Sequence, residues 1–121
     1  MNVIKVNEVP EESVMSPLFT GGSVTRQVLL SPEMTNLFEL GMVNFAAGAR
    51  NKFHIHTSDQ VLFAITGNGI VATESHEHYV APGDIIHIPA GEKHWHGATA
   101  DSSFSHITLL AAGNSTEQVE F

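Results

Sequence analysis

Short runs of β-forming residues, cut at near-regular intervals by glycine and proline, constrain the fold of this chain more than any other feature. Residues 3–9 read as a strand that stops at Pro10, and residues 11–17 as a loop. Residues 22–30 (GSVTRQVLL) read as a strand closed by Ser31-Pro32, and residues 36–46 as another closed by Ala47-Gly48. Proline has no N–H to give a ladder, so it usually closes a strand. Residues 60–66 (QVLFAIT) are apolar on both faces and rich in branched and aromatic side chains, the pattern of a strand buried on both sides. Gly67-Asn68-Gly69 gives a hairpin signal, with residues 70–74 returning from it. Tyr79 and Val80 lead to a tight turn at Pro82-Gly83-Asp84. Further strands are expected over residues 53–56, 85–88, 93–98 and 104–111, with a terminal one over 118–121. No stretch carries the period of an amphipathic helix. The pattern predicts an all-β sandwich or small barrel, and 121 residues predict one domain, 1–121.

Charge and composition narrow the partners. The formal net charge is −8 with only five lysines and arginines. Nucleic acids and anionic membranes both need a basic face, so neither is expected as a partner. There are no cysteines, which excludes disulfides, thiolate metal sites and cysteine nucleophiles. The first residues lack the apolar segment of a signal peptide, and no stretch is long enough to span a bilayer, so a cytoplasmic protein is expected.

Eight histidines are the unusual feature, seven of them between His54 and His96. Residues two apart on a strand share a face, so an extended 53–56 segment projects His54 and His56 together. Gln60 follows four residues on, and His94 lies in a second glycine-rich stretch, GDIIHIPAGEKHWHGA. Neutral imidazoles and a carboxamide suit a first-row divalent ion, and His54, His56, Gln60 and His94 are the candidate ligands. His96 shares a strand face with His94. His106 falls in the alternating set Phe104, His106, Thr108 and Leu110. Either His96 or His106 is a candidate general base. Arg50 and Lys52, beside the first motif, are candidates for binding a substrate carboxylate. His76, Glu77 and His78 read as a solvated turn, and His87 as a structural histidine.

These residues carry a resemblance to the cupin superfamily, whose barrels are double-sheet jelly rolls. Its first motif, G-x5-H-x-H-x3-E-x6-G, is matched by Gly48, His54, His56, Gln60 and Gly67, with glutamine in place of glutamate. Its second, G-x5-P-x-G-x2-H-x3-N, is matched by Gly83, Pro89, Gly91 and His94, with Ala98 where asparagine is expected. The 15 residues between the motifs fit a small single-domain cupin. Within the superfamily the chain resembles the carboxymuconolactone decarboxylase-associated cupins. It also resembles the manganese-dependent cupin hydroxynitrile lyases, which hold their metal with three histidines and one glutamine. The resemblance implies one divalent metal per chain (Mn, Fe, Ni or Zn) on His54, His56, Gln60 and His94. It implies a pocket lined by His96 and His106, joined by Leu110 on the same strand face; Arg50 is a further candidate for the pocket from its place beside the first motif, and His106 and His96 are the candidate catalytic groups. It also implies a homodimer.

The glutamine matters chemically. Three imidazoles and a carboxamide leave the full charge of a dication uncompensated, which favours Lewis-acid work on an oxygen. A lyase, isomerase or decarboxylase-like reaction on a small oxygenated substrate is the leading expectation. An iron or manganese dioxygenase is the second, and a non-catalytic metal-containing module that binds or senses a small ligand is the third.

Overall fold

The computed structural model describes residues 1–121 as thirteen antiparallel strands and one short 3₁₀ turn, Val6–Glu8. The first sheet runs in the order β1 (Glu12–Ser13), β3 (Val24–Leu30), β4 (Phe38–Phe45), β12 (Phe104–Ala111), β7 (Gln60–Gly67) and β10 (Ile85–Ile88). The second runs β2 (Phe19–Thr20), β5 (Arg50–Asn51), β11 (Trp95–Ala98), β8 (Gly69–Ala72) and β9 (Glu77–Val80). A third ladder pairs β6 (His54–His56) with β13 (Thr116–Gln118). The two large sheets face one another as the walls of a jelly-roll barrel, the all-β architecture expected. No helix is long and apolar enough to cross a membrane.

Alternation along each strand sorts the side chains between barrel interior and exterior. In the first sheet the interior set is Phe45 and Val43 on β4, Phe104, His106 and Thr108 on β12, and Gln60, Leu62 and Ala64 on β7. One half of the interior is apolar, built around Val24, Phe45, Leu62, Val71, Ile88 and Phe104. Phe45 and Phe104 stack with ring centroids 6.4 Å apart. Full burial of side chains this size contributes about 1.5–3 kcal/mol each. The β12–β7 register shifts between Ser105 and His106, where Ile65 is the extra residue on β7. That bulge re-phases β7 so that Gln60, Leu62 and Ala64 face the same interior as Leu110, Thr108 and His106.

Five expectations are corrected. Residues 3–9 are not a strand: the segment turns over the outer face of β3, where Gln27 Nε2 donates to the carbonyls of Val6 and Val9 (2.8 and 3.0 Å). Gly67-Asn68-Gly69 does not close a hairpin, because β7 and β8 belong to different sheets. The turn is a corner between them, and Gly67 makes it at φ +74°, where any Cβ would overlap the Ser103 carbonyl oxygen. The hairpin instead joins β8 to β9. β7 buries one face only, with Ile65 exposed on the outside. The last strand is Thr116–Gln118, set by its pairing with β6, and residues 11–17 contain β1.

Candidate metal centre

Two segments far apart in sequence meet at the site, β6 and the residue before β11. His54 and His94 form a backbone bridge, each N–H donating to the other's carbonyl (3.0 and 3.1 Å). This bridge joins the two glycine-framed segments. His54, His56 and His94 are all buried, and one nitrogen from each lies within 4.8 Å of the other two.

Hydrogen bonds fix which nitrogens face inward. His54 Nδ1 donates to the Lys52 carbonyl (2.6 Å) and His94 Nδ1 to the Glu92 carbonyl (2.8 Å). A carbonyl only accepts, so Nδ1 carries the proton and Nε2 is left with its lone pair. His56 Nδ1 is engaged by the Thr116 hydroxyl (2.8 Å), and its Nε2 is buried with no hydrogen-bond partner. Gln60 Nε2 donates to Thr108 Oγ1 (2.8 Å), which turns Oε1 toward His94 Nε2 at 3.1 Å. With His94 protonated on Nδ1, these last two atoms are both acceptors. Lone pairs facing one another in a buried site repel, and a cation between them removes the repulsion. The donor set therefore fits a divalent metal of the first row, with second partners already holding each ligand.

Burial is the main force on the imidazoles' protonation. It pushes His54 down to about 3 and His56 to about 4, with the neighbouring His94 adding repulsion in both cases. His94 is lowered chiefly by burial as well. All three are neutral at pH 7, the form that ligates.

A second imidazole pair lies beside them. His106 and His96 come from opposite sheets and share a 2.9 Å hydrogen bond between His106 Nε2 and His96 Nδ1. The His96 backbone N–H donates to Asn51 Oδ1 (2.8 Å), so the Asn51 amide nitrogen faces His96 Nε2 at 3.3 Å. His96 then accepts at Nε2, carries its proton on Nδ1 and donates to His106. His106 Nδ1 is buried without a partner. Burial holds both rings well below the usual histidine range, His106 at about 4.

The structure thus brings together His54, His56, Gln60, His94, His96 and His106. Leu110 is the cross-strand neighbour of Gln60, on the interior face of β12. Arg50 is not with them. Its neighbour Asn51 takes the inward position on β5, and the Arg50 guanidinium pairs with Glu120 (2.6 Å) and lies 4.5 Å over the ring of outward-facing Trp95. Lys52 contributes its carbonyl and not its charge. His87 is an exposed partner of Asp59 (2.8 Å). Asn51 and Thr116 were missed, as was the part Thr108 plays in holding Gln60. Thr108 was visible as part of the Phe104–Leu110 alternation, whereas Asn51 and Thr116 sit in strands of two and three residues with no periodic signal.

A two-sheet barrel with inward imidazoles from two glycine-framed segments defines a class of β-barrel with an interior metal-binding site. The chain belongs to the cupin family: the cupin-domain profile matches residues 41–109. It is 35% identical over 68 residues to an (R)-mandelonitrile lyase of Granulicella tundricola, covering 55% of this chain and 52% of that one. It is 37% identical over 73 residues to an acireductone dioxygenase of Exiguobacterium sibiricum, covering 56% and 37%. The matches thus span about half or less of those relatives' lengths. Among solved structures, a cupin-like protein of Thermotoga maritima superposes with a TM-score of 0.83 at 27% identity, over 89% of this chain and 84% of that one. The polyketide cyclase RemF of Streptomyces resistomycificus, at 18% identity, shares the fold with a TM-score of 0.88 over 100% and 87%.

Proposed function

We propose that this cupin is a metal-dependent lyase acting on a small hydroxylated organic molecule, of the kind that the mandelonitrile lyase relative acts on. The observation that carries the reading is Gln60, a neutral amide whose oxygen Thr108 aims at the three imidazoles, where a carboxylate would neutralise one unit of metal charge. His54, His56, Gln60 and His94 would hold the ion, one per chain, as Mn, Fe, Ni or Zn. Bound there, it supplies Lewis-acid polarisation of a substrate oxygen. His96 and His106 handle the proton. A substrate hydroxyl gives its proton to His96 Nε2, displacing the long contact to Asn51, and the hydrogen bond to His106 spreads the charge over two rings. The substrate C–C bond then breaks, the oxygen becomes a carbonyl, and the same proton returns to the departing carbanion. Burial, which keeps both rings neutral at pH 7, makes them ready acceptors.

The acireductone dioxygenase relatives favour oxygen chemistry as a second reading. Turnover of aliphatic and aromatic cyanohydrins by metal-loaded protein, followed by carbonyl release with and without air, separates the two. The lyase reading expects equal rates in both. Rates that vanish without oxygen would replace it with the dioxygenase.

A homodimer is proposed with it. Ile65 and Ile85 are exposed on the outer face of β7 and β10, and β10 ends the first sheet with an open edge. Sedimentation should give a dimer that Ile85→Lys weakens. A wild-type monomer at micromolar concentration would remove this part.

A further inference from the structure

A cavity of about 340 Å³ opens on the interior face of the first sheet, on the β3–β4 side of the metal centre. Val28 and Leu110 wall it on that face, Gly41 leaves its floor free of side chain, and Leu30 and Leu40 complete its rim beyond the β3 register shift. Thr108 lines it too, and the same hydroxyl holds Gln60. The cavity and the candidate ligands are therefore contiguous through one residue. Arg26 also lines it. Its cross-strand partner is Val43, whose partner on the other side is His106. Two strand spacings put Arg26 about 10 Å from His106 on one face.

In a chain of net charge −8, Arg26 has no acidic side chain within ion-pair distance, although Glu12 is its cross-strand neighbour on β1; Lys5 and Lys52 are also without ion pairs, but neither lines this cavity. The one carboxylate lining the cavity, Glu39, sits in the Gln60–Leu110 row and is held by Asn114 Nδ2 (2.9 Å). A guanidinium with free donors beside an aliphatic wall matches a carboxylate on a short hydrocarbon body. The neutral donor set at the metal centre favours an anionic substrate for the same reason, since nothing in that set offsets a dication.

We propose that Arg26 is a specificity-determining residue that anchors the carboxylate of the substrate, and that the substrate is a hydroxy acid with an aliphatic body. Val28 and Leu110 pack against that body, while the hydroxyl end reaches toward His96 and the metal ligands. The inference rests on the proposed function for the hydroxyl end but not for the carboxylate end, so the two are tested apart.

The test is calorimetric titration of the full chain, metal-free and zinc-loaded, with 4-methylpentanoate and with its uncharged amide. Arg26 is exposed, so Arg26→Gln should fold normally, which its melting curve and zinc uptake verify. The acid should bind wild-type protein even without zinc, and Arg26→Gln should weaken it about tenfold or more. The amide should bind both proteins alike, and Arg26→Lys should restore part of the acid's affinity. Val28→Trp, which fills the cavity, should reduce binding of acid and amide together. Equal affinity of the acid for wild type and Arg26→Gln overturns the proposal, and so does failure of the acid to bind wild type in either form. Arg26-dependent binding with no zinc uptake upholds the anchor and overturns the metal-enzyme reading instead.

Discussion

Phe45 and His106 are both sealed from solvent, with rings 5.5 Å apart, and they stand on opposite sides of a chemical boundary inside the barrel. On the Phe45 side, Phe104, Leu62 and Val71 fill space and leave no polar atom to satisfy. On the His106 side, five buried imidazoles, Gln60 and Asn51 occupy a volume that aliphatic side chains could fill. Buried polar atoms stabilise a fold only when partnered. Here His56 Nε2 and His106 Nδ1 have none, and His94 Nε2 faces another acceptor. One half of the interior holds the barrel together. The other is retained against the interest of stability, which is the mark of a site.

Substitutions that cross the boundary should behave in opposite ways. The largest effect belongs to the apolar half: Phe45→Ala should lower unfolding free energy in urea by about 3–5 kcal/mol. A loss below 1 kcal/mol would show that the core lies elsewhere. In the polar half, His56→Leu should abolish metal uptake yet leave metal-free protein about as stable as wild type, because removing the unpartnered Nε2 offsets the lost Nδ1 bond to Thr116. Strong destabilisation of the apo-protein would mean that the cluster is structural. His94→Ala should weaken metal affinity more than Gln60→Ala, since water replaces an amide oxygen more easily than an imidazole.

The same asymmetry governs pH. The polar-half imidazoles have folded pKa values pushed below the usual 6.5, to about 4 for His56 and His106. Over that window the unfolded chain binds more protons than the folded one, so stability falls as pH falls. Metal-free protein should keep full stability above about 6.5 and lose it progressively down to about 4, as read from urea midpoints. A flat profile would contradict neutral burial. The smallest effect is Thr108→Val, which frees the Gln60 amide and should weaken metal affinity about tenfold.

The two halves also differed in how far they could be read from sequence. Strand runs and glycine-framed motifs revealed the barrel, and the spacing of His54, His56, Gln60 and His94 pointed to the four side chains that the fold brings together. What stayed hidden depends on pairing between distant segments. Asn51 faces His96 only because β5 docks on β11, 45 residues on. Residues 3–9 have strand composition, but their carbonyls are taken by Gln27 before any ladder forms. Gly67-Asn68-Gly69 has hairpin chemistry, but Gly69 pairs with Val80 and Ala98 in the other sheet. Arg26 shares a sheet face with Val24 and Val28, but the cavity beside it forms only once β3 pairs with β4 and β4 with β12.

The most direct test of the central claim is the metal content of protein purified without affinity tag or chelator, repeated after dialysis of apo-protein against Mn, Fe, Ni and Zn. The account predicts about one first-row ion per chain, held more weakly in His94→Ala. No metal as purified and no uptake on dialysis would contradict it, leaving the imidazole cluster as an unexplained polar half of a barrel.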